Sequence, residues 1–141
     1  MIRRDYLLAM IEQLGALARA ATGKNMPAEK LQVEMEDLSG QWIGLPTVVL
    51  FTLPVEELHR LIADSERLVS EKCFLTAELF RTKAEMATDD DSRRIFSGKA
   101  LYFYHQSARA GFPPEIQSSI TDHITTLTAL VATTSAASES S

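Results

Sequence analysis

The stretch LVSEKCFLTAELFRTKAEMATDDDSRRIFSGKALYFYHQSARA, residues 68–110, decides the fold class. It contains no proline, so nothing in it prevents long helices. Three aspartates, residues 89–91, divide it, and acidic residues favour a helix N-terminus. We expect one long helix to end at about Thr88 and a second to open at Ser92 and run to about Ala110. The stretch therefore predicts a helical hairpin.

Glycine and proline residues indicate where helices are weakened, end or begin. Gly98 lies inside the second predicted helix, where glycine costs about 1 kcal/mol relative to alanine. We expect close approach of a neighbouring helix to be the reason for it. Gly111 ends the hairpin, and Pro113-Pro114 restarts the chain. A last amphipathic helix is predicted from the stripe Ile116, Ile120, His123, Leu127, Leu130 and Val131.

The N-terminal part also shows helical periodicity. Residues 5–22 predict an amphipathic helix, and Gly23 is its stop signal. Pro27 can open a second helix, whose other faces are acidic. The apolar stripe of the first helix comprises Leu7, Met10, Ile11, Leu14, Leu17, Ala18 and Ala21, and that of the second comprises Leu31, Met35 and Leu38.

Residues 46–53 are ambiguous between a helix and an extended segment. Gly40, Gly44 and Pro46 interrupt any long helix, and the β-branched run that follows is typical of a strand. No second strand is visible to pair with it, and isolated strands are unstable in water. We therefore favour a short helical turn opened by Pro46. Pro54 is expected to open the next helix, with a break near residues 64–65.

These segments predict an all-α fold: a single-domain helical bundle of about six or seven helices with a tetratricopeptide-like helical hairpin. The domain is expected to span residues 1–132. Residues 133–141 are rich in Ser, Ala and Thr, and we expect them to form a disordered tail because they have little to bury.

Composition limits the classes of function. The chain has 141 residues, 14 Lys plus Arg and 19 Asp plus Glu, which gives a formal net charge of −5 and disfavours a nucleic-acid partner. No apolar run is long enough for a secretory signal or a membrane span, so we expect a cytoplasmic protein that does not bind membranes. The single cysteine, Cys73, excludes an internal disulfide.

The sequence shows no pattern of residues typical of a metal site, a phosphate-binding loop or a catalytic nucleophile. His59, His105 and His123 share no i, i+3 or i+4 spacing, so no single helix presents a pair of metal ligands. The glycines form no phosphate-binding loop. Cys73 lies in an apolar helical pattern and is expected to be a small buried side chain. The sequence predicts no catalytic residue, no cofactor and no metal, and hence a protein that is not an enzyme.

Aromatic side chains are the candidates for an interaction surface. Residues 102–105, Tyr-Phe-Tyr-His, cover all sides of a helix, so some of these rings are expected near the surface or against a second packing partner. Trp42 lies in the irregular segment, where it either anchors an interface or, as we favour, fills the gap where the N-terminal and C-terminal helices meet. The candidate surface residues are Trp42, Phe51, Tyr102 and Tyr104.

A resemblance adds context to this pattern. The opening MIRRDYLLAMIEQL resembles a family of small, uncharacterised bacterial helical proteins that begin M-I-x-x-D-Y and continue with an M-I-E-Q-L-like helix. The order of later elements is similar over roughly residues 1–110, including LPVEEL at residues 53–58 and the hairpin at residues 76–102. The resemblance implies an all-helical fold in a bacterial cytoplasm; it implies no activity, so no site residue is carried over.

Two functions remain open from the sequence, and a cluster of His105, His123 and an acidic residue within hydrogen-bond reach would add a third, an enzyme. The first is a non-enzymatic interaction or scaffold module that binds a protein partner or a second copy of itself, a homodimer included. The alternative is a sensor or carrier that binds a small apolar ligand in an interhelical pocket. We expect such a pocket to be lined by Phe80, Phe96, Met86 and Tyr104.

Overall fold

The computed structural model describes residues 8–14, 16–17, 20, 26–66 and 68–140, with side chains up to residue 132, and all its regular elements are helical. We name them α1 (residues 8–14; residues 16, 17 and 20 are also helical), α2 (Ala28–Leu38), a π-helical turn (Ser39–Ile43), α3 (Thr47–Thr52), α4 (Val55–Asp64), α5 (Val69–Met86), α6 (Asp90–Ala108) and α7 (Pro114–Ser140). The described residues include no strand, which confirms the all-α prediction. The predicted start of the first helix at Asp5 and its stop at Gly23 lie outside the described residues.

Helix α5 is the centre of the fold. Eight successive residues, 73–80, are all buried, so this helix is covered on every side rather than along one stripe. Phe80 is fully buried, and its ring stacks on those of Phe96 and Phe103 from α6 at centroid distances of 6.3 and 5.9 Å. Helix α6 in turn packs against α7. Three helices, α5, α6 and α7, thus form the main body of the bundle.

The hairpin between α5 and α6 is tight and capped. Asp89 is the N-cap of α6, and its Oδ1 accepts a hydrogen bond of 2.7 Å from the backbone N–H of Ser92. The helix therefore begins at Asp90, two residues before the predicted start at Ser92. The hairpin itself is present, whereas its tetratricopeptide-like character stays a prediction.

The surroundings of Gly98 differ from the expected close approach of a neighbouring helix. A Cβ atom built on this glycine meets nothing within 4 Å, so no neighbouring helix in the described part of the chain approaches it closely. The prediction that close approach explains Gly98 is therefore wrong. The physical reason is the direction of the Cα–Hα bond that a side chain would replace. This bond points to open space, although Ser97 and Ala100 on the same helix are buried.

Residues 47–52 form the short helix α3, which confirms the favoured interpretation of residues 46–53 as a helical turn opened by Pro46. The π-helical turn widens the end of α2, and Gly44, at a φ of +86°, terminates it in the left-handed region that glycine adopts without strain. Its N–H donates to the carbonyl oxygen of Ser39 at 2.8 Å. Pro46 then precedes α3, and Thr47 ties α3 to α2 by donating both its N–H and its hydroxyl to Oε2 of Glu36.

Helix α7 is longer than α6. Helix α6 has 19 residues, whereas α7 has 27, and both rise about 1.5 Å per residue. Helix α7 is thus eight residues longer than α6, and the backbone of residues 133–140 is helical. Helix ends without tertiary support fray in solution. The disordered tail at residues 133–141 and the domain boundary before it therefore stay predictions.

Candidate functional site

The four candidate surface residues lie in four different environments. Trp42, in the π-helical turn, is partly buried, and its indole Nε1 donates to Oε1 of Gln13 at 2.7 Å. This bond joins the turn to α1. Trp42 therefore contributes to packing between the N-terminal elements while keeping part of its ring at the surface.

Phe51 is a half-buried bridge between α3 and the α5–α6 hairpin. Its ring meets those of Phe80 and Phe96 edge-on at centroid distances of 5.5 and 6.0 Å. The Nζ of Lys83 lies 5.3 Å from the centre of the Phe51 ring, within cation–π range. The cation covers the ring, so Phe51 offers little open apolar area to a partner.

Tyr102 is partly buried between α6 and α4. Its hydroxyl lies 3.0 Å from Nδ1 of His59, and the two rings meet edge-on at 5.8 Å. His59 also meets Phe103 edge-on at 6.2 Å. The pair fixes the orientation of α4 on the hairpin, which gives Tyr102 a structural contact that the sequence did not predict.

Tyr104 does not belong to a surface, because it is 0% exposed. The prediction of an interaction surface that includes Tyr104 is wrong in this respect. Its hydroxyl donates to Oε1 of Glu78 at 2.7 Å and accepts from Nε of Arg81 at 3.1 Å. A phenol can be fully buried when its polar end has such partners.

These contacts belong to a polar cluster, Glu78, Arg81, Tyr104 and His123, enclosed by α5, α6 and α7. Arg81 Nη2 donates to Oε2 of Glu78 at 2.8 Å, and His123 Nε2 lies 3.7 Å from Oε1 of Glu78. The rings of His123 and Tyr104 stack at 5.3 Å. Each helix of the main body thus contributes to one network around the Glu78 carboxylate.

The cluster sets the charge states of its members. Burial, and next the Glu78 carboxylate, raise the pKa of Tyr104 well above its usual value, so the phenol stays protonated. Burial and the Arg81 cation lower the pKa of His123 against the opposing effects of Glu78 and Asp122, which favours a neutral imidazole near pH 7. Burial works against the charge of Arg81, but Glu78 and Tyr104 outweigh it and raise the pKa of Arg81.

A pocket of about 280 Å³ adjoins the cluster. Arg81 and His123 belong both to the cluster and to the wall of the pocket. The remaining wall residues come from α5, α6 and α7 and comprise Ala84, Glu85, Arg93, Ser97, Thr126, Leu127 and Leu130. Phe80, Phe96, Met86 and Tyr104, the lining expected from the sequence, are not among them.

A second, more open depression of about 440 Å³ lies between α1 and α2. Its floor is formed by the buried side chains of Leu17 and Leu38, and its rim carries the carboxylates of Glu34 and Asp37. The described residues that line these two depressions include no cysteine and no pair of histidines.

Cys73 and the histidines form no metal or nucleophile site in the part of the chain that the structure describes. Burial raises the pKa of the Cys73 thiol to about 12, so the thiol is protonated at neutral pH. No group of three or more His, Cys, Asp or Glu side chains among these residues is arranged to hold a metal ion. Among the described residues, none of the helices is both long and apolar enough to cross a bilayer.

Sequence reasoning missed Glu78 and Arg81. A signal was present: an acidic and a basic residue three positions apart, which share one face of a helix, inside a segment whose other residues are mostly apolar. Charged residues are seldom fully buried unless they are paired. Such a pair at the centre of an apolar helix therefore indicates a buried ion pair, although its partners on α6 and α7 cannot be read from spacing.

No family model, curated protein or solved structure matches the chain. Function must therefore be argued from the arrangement of its residues.

Proposed function

We propose that this protein is a non-enzymatic helical interaction module that binds a protein, in the first instance a second copy of itself. The observation that carries the proposal is the exposure of Val33 on α2 and Val48 on α3, which are 58% and 66% exposed. Exposed apolar side chains of this size gain free energy when a partner covers them.

The two valines lie on elements that are tied together. Each is next in sequence to a residue of the α2–α3 contact, in which Gln32 Nε2 donates to Thr47 Oγ1 at 3.3 Å. Glu36 accepts from Thr47 in the same contact, and these two bonds lower the pKa of the Glu36 carboxyl. A partner would therefore meet a pre-ordered pair of helices, which lowers the entropic cost of binding.

The chemistry of the reactive groups supports a non-enzymatic role. The Cys73 thiol is buried and protonated, and within the polar cluster the Glu78 carboxylate accepts hydrogen bonds from Arg81 and Tyr104. A catalytic nucleophile needs an activating base within reach and an open approach. The groups of the cluster instead tie three helices together, as expected of a scaffold.

The test is the mass of the protein in solution. Light scattering coupled to size exclusion should give a mass that rises with concentration toward twice the 15.6 kDa of the chain. The double substitution Val33→Glu and Val48→Glu should return it to the monomer mass. The control is Leu61→Glu on α4, which adds one carboxylate in place of an apolar side chain that is 45% exposed and should leave association unchanged.

Two outcomes contradict the proposal. The first is a wild-type chain whose mass stays at 15.6 kDa at every concentration and which captures the same proteins as the double variant. The second is an equal loss of association in the Leu61→Glu control, which would place the contact outside α2 and α3.

A second candidate function is that of a small-ligand sensor or carrier. The observation that favours it is the pocket of about 280 Å³ between α5, α6 and α7. Sites between the helices of a bundle are common places for small ligands. Its wall combines charged and apolar side chains, which differs from the lining of three aromatic side chains and a methionine expected from the sequence.

A further inference from the structure

The interhelical pocket is lined by more basic than acidic side chains in an acidic protein. Its described wall holds two arginines, Arg81 and Arg93, and one carboxylate, Glu85, whereas the whole chain carries a formal net charge of −5. Complementary charge in a recessed site selects the sign of a ligand. The pocket therefore favours an anion over a cation.

Arg81 is held so that one edge of its guanidinium remains available. Its Nε donates to Tyr104 and its Nη2 to Glu78, whereas no hydrogen bond joins its Nη1 to the described residues. These two bonds fix the plane of the guanidinium without using every donor. A guanidinium edge of this kind suits a carboxylate, because its N–H groups match the two oxygens.

Ser97 supplies a second polar group in the wall. It is 1% exposed, and its Oγ has no hydrogen-bond partner among the described residues. A buried hydroxyl without a partner is uncommon, because leaving it unsatisfied costs free energy that a ligand can recover. An acceptor oxygen in the pocket would provide the missing partner.

Apolar residues determine what the rest of the ligand must be. Ala84 and Leu127 are 4% and 5% exposed, and with Leu130 they form the apolar part of the wall. The volume of about 280 Å³ lies just below the roughly 300 Å³ at which pockets for drug-sized ligands begin. The pocket thus suits a small molecule with a short apolar body.

We propose that the pocket between α5, α6 and α7 binds a small monocarboxylate through Arg81, Arg93 and Ser97, with its apolar body against Ala84 and Leu127. This inference rests on the second candidate function and names its ligand class. It is independent of association through α2 and α3.

The neighbouring acidic groups do not cancel this preference. Glu78 pairs with Arg81 from within the cluster, so the formal charges of Arg81, Arg93, Glu78 and Glu85 sum to zero. The preference for an anion comes from Arg93 and from the Nη1 of Arg81, which donates to none of the described residues, rather than from a net charge. The Nη1 of Arg93 lies 3.6 Å from Asp90, whose side chain is 88% exposed, and so exposed a pair is strongly screened. Glu85 is itself exposed and can turn toward solvent.

The experiment compares two probes that differ only in charge and polar group: hexanoate and 1-hexanol. Each is titrated into the ¹⁵N-labelled full chain by NMR, with affinities from calorimetry. Hexanoate should shift the signals of residues that line the pocket, with His123 and Ser97 as reporters, and should bind at least about tenfold more tightly than hexanol.

Variants assign the binding to the pocket. Arg93→Gln should weaken hexanoate binding about tenfold, since it removes a charge-assisted contact. Arg94→Gln is the control for charge, because Arg94 pairs with Asp91 at 3.9 Å as Arg93 pairs with Asp90, but it does not line the pocket. Arg93 differs further in that its Nη2 donates to the carbonyl oxygen of Ala87 at 3.1 Å. Ser97→Ala should stabilise the unliganded protein and weaken hexanoate binding.

The outcomes separate the two claims. Equal binding of hexanol and hexanoate in the pocket overturns the carboxylate assignment and leaves the second candidate function standing. If neither probe shifts any signal at the highest concentration tested, the carboxylate assignment and the second candidate function are both overturned. Equal losses of affinity in Arg93→Gln and Arg94→Gln overturn the assignment to this pocket in favour of nonspecific charge attraction.

Discussion

The two halves of the molecule are built by different rules. In the N-terminal half, α2 buries one stripe, Leu31, Met35 and Leu38, and short elements follow one another through Gly44 and Pro46. In the C-terminal half, α5 is buried on all sides and carries an ion pair inside the bundle. The comparison teaches that an amphipathic stripe marks a helix at the edge of a bundle, whereas loss of the stripe marks a helix at its centre.

The largest expected effect tests this contrast with the same substitution in both halves. Leu79 on α5 and Leu50 on α3 are both 0% exposed. We expect Leu79→Ala to lower the free energy of unfolding by about 4 kcal/mol, because α5 is enclosed and cannot relax into the cavity. Leu50→Ala should cost about 2 kcal/mol, because a six-residue helix can shift. Urea unfolding measures both, and equal costs would contradict the distinction.

The next effect concerns the ion pair. Glu78→Ala leaves the largely buried Arg81 without its carboxylate, and we expect a loss of about 3 kcal/mol in unfolding free energy. The N-terminal counterpart is Glu36→Ala, which removes an exposed carboxylate from Thr47 and should cost much less. Thermal unfolding of both variants checks this order. A Glu78→Ala protein as stable as Glu36→Ala would show that the cluster is solvated.

Two glycines should respond with opposite signs to the same change. Gly98→Ala in α6 should stabilise the protein by about 1 kcal/mol, because alanine is the better helix former and nothing lies within 4 Å of the added Cβ. Gly44→Ala should destabilise it, because the residue has a φ of +86°. Urea midpoints give both signs, and a loss of stability in Gly98→Ala would mean that an unseen contact fills that space.

The smallest expected effect is a dependence on pH. His123 has a lowered pKa in the folded protein, so the unfolded chain binds more protons below about pH 6.5. Stability should therefore fall as the pH is lowered from 7 through this range. His123→Gln should remove that part of the slope in melting temperature, whereas His105→Gln, at an exposed position, should retain it. An unchanged slope in His123→Gln would show that another group causes it.

Much of the fold was predictable because its signals are local. Proline, glycine and aspartate mark where helices begin and end, as Pro46, Gly44 and Asp89 do here. The α6 start was misplaced by two residues, because several adjacent polar residues can each serve as a cap. The candidate site was predicted poorly. Tyr104 was placed at the surface because one neighbouring helix cannot bury four successive aromatic or imidazole residues. In the structure, α5 and α7 bury Tyr104 together.

By itself, the amino-acid sequence determined that the chain is helical and where most helices begin and end, because capping, helix propensity and periodic burial depend on residues a few positions apart. Only the tertiary structure decided that Glu78, Arg81, Tyr104 and His123 meet, and that Arg93 and Ser97 border the pocket beside them. These residues come from three helices and are separated by up to 45 positions in the chain. Their contacts depend on how the helices pack, which no local pattern encodes.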